Sequence, residues 1–161
     1  MRWIQGTTES APEATFDIAV MTGHVPQFLS EDEWTRALSA LWRALVRGGR
    51  LAFHAYDPAA RIWERWNAQA SRRQVTLRNG TTVSIWTEVT DHSNDTISFS
   101  HHYHFDGDEA FRSDSTLRFW DEQRIRQSVI DAGFAIERVH GGWRCEPVGS
   151  GDGELIVVAR R

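Results

Sequence analysis

Hydrophobic positions follow two rhythms along the chain. In residues 16–70 and 121–158 short apolar runs alternate with stretches spaced for helix, whereas from 72 to 120 apolar and polar residues alternate one by one. Phe16–Met21 (FDIAVM) is nearly continuous apolar, the pattern of a parallel strand covered on both faces, and it runs into Thr22, Gly23 and His24. Ser30 and Glu33 have capping-box spacing, Glu31 and Asp32 sit where a helix dipole favours anions, and Trp34, Leu38, Leu41, Trp42 and Leu45 fall on one helical face. Arg43 and Arg47 mark the last turns, and Gly48 and Gly49 the stop. Residues 51–56 (LAFHAY) read as a second buried strand, completing a strand–helix–strand unit with a right-handed crossover. Asp57 is placed to cap a further helix with Pro58 at its first position and Ile62 and Trp66 one turn apart. Ahead of all this, Trp3, Ile4 and Gln5 read as a strand stub ending in a turn at Gly6, Thr7 and Thr8.

After residue 70 the period becomes two. Val75 and Leu77 precede Asn79-Gly80, a two-residue hairpin signal, and Val83, Ile85, Thr87 and Val89 alternate beyond it. Phe99, His101, Tyr103 and Phe105 share one strand face, while Ser98, Ser100, His102 and His104 share the other. Residues 72–120 are therefore expected to form an antiparallel meander set into an α/β chain. Asp121 then caps a helix through Ile125 and Val129 that stops at Gly133, and residues 135–139 and 155–158 supply the last two strands.

With 161 residues the chain has the length of one domain, and eight Trp and eight Phe give it ample core. A net charge of -4 without a basic run argues against a nucleic-acid partner. All 18 basic residues are Arg, which excludes a phosphate-loop lysine and any lysine Schiff base. Cys145 stands alone, so no internal disulfide or CxxC-type zinc site can form, and a reducing compartment fits. No apolar stretch reaches the ~18 residues of a membrane span, and the start lacks a secretory apolar run, so a cytoplasmic location without membrane contact is expected.

The ordered series FDIAVMTGHVPQFL, capped helix, LVRGGRLAFHAYDP resembles the fourth strand, following helix and fifth strand of the class I S-adenosylmethionine-dependent methyltransferases. STLRFWDEQRIRQSVIDAGF, then GGW and ELIVVARR, resembles that family's last helix and closing antiparallel strand pair. The resemblance implies an α/β fold: a partial Rossmann-like methyltransferase sheet, one incomplete domain over residues 1–161, with 72–120 as a substrate-side antiparallel insertion. It also implies methyl transfer from S-adenosylmethionine to a small-molecule acceptor. The family's glycine-rich turn after its first strand has no counterpart here, so the isolated chain is expected to bind cofactor weakly and to be impaired in activity. Gly149–Gly153 spells GxGxG but precedes a terminal strand rather than opening a helix, and reads as a hairpin loop.

Open α/β sheets bind ligands beyond the C-terminal ends of their strands. The resemblance accordingly assigns Thr7, Thr8, Met21, Thr22, Gly23 and His24 to the cofactor, and His54, Tyr56, His102 and Trp143 to the acceptor. His24 or His54 would serve as the base where the acceptor must lose a proton. No metal is called for. Two rival readings remain: a noncatalytic subunit completing a split methyltransferase, and a metal-binding β-barrel centred on His102 and His104 with Glu109 beyond them. In the family the absent strands would lie against Phe16–Met21, so an open apolar edge and self-association or strand exchange are expected.

Overall fold

The computed structural model describes residues 5–106 and 109–161; the strand stub expected at Trp3 and Ile4 lies outside them, and Gln5 is not in a strand. Its strands are β1 (Phe16–Met21), β2 (Leu45–Tyr56), β3 (Arg73–Thr76), β4 (Thr82–Ser93), β5 (Thr96–Phe105), β6 (Ala110–Arg118), β7 (Ala135–His140) and β8 (Glu154–Arg160). The helices are α1 (Val25–Phe28), α2 (Glu31–Ala44), α3 (Ala68–Ser71) and α4 (Glu122–Asp131). They divide into two compact units: Arg61–Phe119, and the flanking residues before and after it.

The flanking unit is a four-stranded sheet in the order β1-β2-β8-β7. β1 and β2 run parallel, while β8 is antiparallel to both of its neighbours. Alternation decides which side is core. Leu51, Phe53 and Ala55 of β2 and Leu155, Val157 and Ala159 of β8 are buried in one cluster with Trp34 and Leu38 of α2 and Ile125 and Val129 of α4. Trp34 Nε1 donates to Ser128 Oγ at 2.8 Å, tying the two helices together. The α2 capping box forms as expected, with Glu33 N donating to Ser30 Oγ and Ser30 N donating to Glu33 Oε2. That contact with Ser30 holds the Glu33 carboxyl below its ordinary range. α4 is capped by Asp121, and Gly133 beyond it takes a positive φ of 94°.

Three local expectations are corrected. α2 ends at Ala44 rather than at the glycine pair, because Leu45 is extended (φ −74°, ψ 147°) and already pairs with Phe16. The next partner of β1 is Arg50 opposite Ile18, so the residues around Gly48 and Gly49 form an irregularity within β2. Gly48 N donates to the Arg161 carbonyl, Arg161 N to the Gly49 carbonyl, and the Arg161 guanidinium to the carbonyls of Arg43 and Leu45. A Cβ on Gly49 would come within 2.9 Å of the Val46 carbonyl, so the close approach needs glycine. After Asp57 there is no continuous helix: two 3-10 turns, Pro58–Ala60 and Ile62–Arg65, are separated by Arg61 in the left-handed region (φ 46°). The hairpin at Asn79-Gly80 is a wider turn, since Gly80 N donates to the Leu77 carbonyl and Leu77 N to the Thr81 carbonyl, with only Gly80 at positive φ.

β1 also departs from the both-faces-covered expectation. Among the described residues it pairs with β2 alone, and Phe16, Ile18 and Val20 on its outer face are 41%, 60% and 57% exposed.

In Arg61–Phe119 the order is β3-β4-β5-β6, an antiparallel sheet whose outer strands β3 and β6 do not pair with each other among the described residues. The two faces of β5 separate as the alternation requires. Phe99 packs with Trp66, and Trp66 and Trp63 with Phe119. On the opposite face the His102 ring stacks on Trp86 (4.8 Å, 4°) and its Nε2 lies 3.1 Å from Glu88. His101, on the Phe99 face, pairs with Thr87 Oγ1 at 2.8 Å, and burial with help from Arg73 and His102 holds its imidazole below the ordinary value.

Candidate functional site

Beyond the ends of β1 and β2 the chain gathers five side chains whose placement follows from strand alternation. With Leu51, Phe53 and Ala55 committed to the helix-covered core, His54 and Tyr56 must face the other side of the sheet. β8 runs antiparallel to β2 with Tyr56 opposite Glu154, so the first residue of β8 arrives beside both. β1 ends at Met21, and the turn through Gly23 (φ 70°) and His24 (φ 58°) reverses the chain into α1. A non-glycine residue at positive φ is strained, and here the strain aims the His24 ring back over the sheet.

Glu154 is the centre of the group. It is buried, 8% exposed, and its carboxylate lies 3.0 and 3.2 Å from Nε2 of His24 and 3.1 Å from Nδ1 of His54. His54 Nε2 accepts the backbone N–H of Gly23 at 3.0 Å. That bond fixes the tautomer: Nε2 is bare, so Nδ1 carries the proton and donates it to Glu154. Both nitrogens of His54 are thereby engaged. His24 lies flat on Tyr56, with centroids 3.6 Å apart at 18°, and Trp143 meets the His54 ring edge-on at 5.0 Å. Burial, and then the Glu154 charge, push the Tyr56 phenol above its ordinary value. Gln27, 3% exposed, accepts the Tyr56 N–H through Oε1 at 2.8 Å and so anchors α1 to the end of β2.

Two imidazoles and a carboxylate within 4.8 Å of one another are a possible cation-ligand set. The donor chemistry opposes it. A metal on His54 Nδ1 would put the proton on Nε2, where the Gly23 N–H already points. The three side chains fit a hydrogen-bonded assembly.

Of the residues singled out in the sequence, Met21, Thr22, Gly23, His24, His54, Tyr56 and Trp143 belong to this strand-end group or the turn feeding it. Thr7 and Thr8 do not join it by any contact among the described residues; they start a 3-10 turn, Thr8–Ser10, whose Glu9 pairs with Arg36 of α2. His102 is held in the sheet of Arg61–Phe119. The sequence pattern does not single out Glu154 or Gln27. The signal for Glu154 is a carboxylate opening a terminal strand that is apolar from Leu155 to Ala159, and it gains meaning only once the register places it opposite Tyr56.

Neither a protein-family model nor a curated protein matches the chain. Solved structures do. The chain is similar to CalS10, an amino pentose methyltransferase from Micromonospora echinaspora, at 20% identity and a TM-score of 0.73 over 97% of this chain and 63% of that one. It is similar to an S-adenosylmethionine-dependent methyltransferase from Clostridium acetobutylicum at 12% identity and 0.71, over 97% and 62%. With DesVI from Streptomyces venezuelae the figures are 16% and 0.70, over 97% and 63%. The fold is that of the class I methyltransferases. The chain spans a little under two thirds of the length of these structures, and its methyltransferase sheet, β1-β2-β8-β7, carries the antiparallel β8 inserted beside β2. No helix among the described residues is long and apolar enough to cross a membrane.

Proposed function

We propose that the chain contributes the strand-end crevice of an S-adenosylmethionine-dependent methyltransferase acting on a small hydroxyl or amino compound, with His24 taking the proton the acceptor loses. The observation that carries this reading is the His24–Glu154–His54 assembly beyond β1 and β2, where open α/β sheets place their ligands. The methyl donor, when bound, supplies an electrophilic methyl group on sulfonium. Room for it at the Thr22–Gly23 turn is consistent with the structure, since a Cβ built on Gly23 would meet nothing within 4 Å. The fit is partial, because the described residues include no glycine-rich turn leading from a strand into a helix.

Methyl transfer is an in-line displacement, so alignment and exclusion of water carry most of the catalysis. His24 is suited to proton acceptance: its Nε2 is on Glu154, its ring is pinned by Tyr56, and its Nδ1 makes no hydrogen bond among the described residues. Tyr56 and Trp143 supply aromatic surface beside the imidazoles. An acceptor role for His102 rests on the family resemblance alone. The test is transfer of labelled methyl from S-adenosylmethionine to a panel of small amines and alcohols. His24→Gln should lower the rate by about 10²-fold or more; an unchanged rate removes His24 from the chemistry.

A second reading is favoured by the exposed outer face of β1: the chain serves as one part of a split methyltransferase, completed by a protein that carries the cofactor turn. Co-purification with a protein bearing a glycine-rich strand–turn–helix, and activity only in that complex, would support it; full activity of the chain alone would exclude it.

A further inference from the structure

We propose that Glu154 is a positioning residue that determines which nitrogen of His24 bears the proton, through a hydrogen-bonded chain that starts at the Gly23 amide. The inference rests on the reading of His24 as proton acceptor for its catalytic meaning, but the proton placement follows from geometry alone.

The Gly23 N–H cannot be removed or reoriented without breaking the turn that ends β1, and it points at Nε2 of His54. His54 is therefore a donor through Nδ1, and its acceptor is Oε2 of Glu154 at 3.1 Å. A carboxylate has lone pairs and no proton to offer, so its second neighbour, Nε2 of His24, must also be a donor. Neutral His24 then holds its lone pair on Nδ1. Burial of Glu154 and of His54, each 8% exposed, keeps water from substituting for either partner. Without the carboxylate, nothing on the described residues would choose between the two tautomers of His24.

Glu154→Gln separates this role from mere packing. The carboxamide is isosteric, but one of its two positions becomes a donor. The Gly23 amide still requires a proton on His54 Nδ1, which claims the carboxamide oxygen. The amino group then takes the position nearer His24 Nε2 (3.0 Å, against 3.2 Å to the oxygen kept by His54), so a proton left on Nε2 would face another donor, and relief of that clash moves the His24 proton to Nδ1. The base is present and correctly placed, yet its lone pair points the wrong way.

The measurement is two-bond nitrogen–proton correlation NMR of the imidazoles in the full chain, recorded well above the ordinary imidazole midpoint of about 6.5, with His24→Gln and His54→Phe assigning the rings. The wild-type chain should show His24 protonated on Nε2 and His54 on Nδ1. In Glu154→Gln, His24 should change to Nδ1 while His54 keeps its form, and labelled-methyl transfer should fall about 10²-fold. Retention of the Nε2 proton on His24 in a folded Glu154→Gln chain would overturn the proposal, as would a wild-type His54 protonated on Nε2. Should Glu154→Gln fail to fold, His54→Phe decides: its carboxylate still demands the Nε2 proton of His24, and a shift to Nδ1 there contradicts the assignment. A tautomer change without loss of methyl transfer would leave the proton placement intact and discard the reading of His24 as the acceptor.

Discussion

Strain and hydrogen bonding converge on single residues at the end of β1. His24 adopts a left-handed backbone that β-branched or bulky residues reach at a cost, and its side chain recovers that cost through Glu154 and Tyr56. Tyr56 gives an independent check on the same cluster. Its phenol is raised by burial first and by Glu154 second, so ultraviolet titration should find its midpoint above the ordinary value of about 10, and Glu154→Gln should bring it partly down. The sign for stability follows: the contribution of neutral Tyr56 is complete below about pH 10 and is lost as pH climbs through the folded-state midpoint. A midpoint at or below the ordinary value would mean that Tyr56 is neither buried nor beside a charge. His24 and His54 were legible as chemistry-bearing residues because they sit next to strand ends, which strand patterning locates. Their separate roles were not legible, since these depend on a register that brings residue 154 beside residue 56 across nearly a hundred intervening positions.

Elements with strong local signals form where the chain pattern puts them. α2 has its acidic first turn and reciprocal cap, and Ser30→Ala should lower stability by about 1 kcal/mol in urea denaturation, because Glu33 N then loses its partner. Leu38, at 1% exposure, lies in the layer between α2 and the sheet, and Leu38→Ala should cost roughly 2–5 kcal/mol by the same measurement. The departures are where long-range contacts override local spacing. Helical periodicity continues through Leu45, but pairing with Phe16 and the Arg161 guanidinium on its carbonyl draw Leu45 into β2. The apolar pair Ile62 and Trp66 has helical spacing, yet Arg61 at positive φ interrupts the turn that would join them to Asp57. Alternation in residues 72–120 is a robust signal because each side chain of a strand must choose a face, and β4, β5 and β6 follow it with one shift near Val89 and Asp91.

For the molecule as a whole, β1 is an open edge: among the described residues it has only one neighbour and an apolar outer face. Such an edge favours association, and light scattering should find mass rising with concentration; Ile18→Lys should suppress that rise, and a monomer at all concentrations would count against an accessible edge. The position proposed for the methyl donor, the Thr22–Gly23 turn, follows directly on the end of β1. The most direct test is NMR titration of the full chain with S-adenosylhomocysteine. Weak binding is expected, with amide shifts concentrated at Thr22, Gly23 and His24 and extending to Tyr56. Shifts confined to residues of α2 and α4, or none at millimolar ligand, would contradict the proposed site.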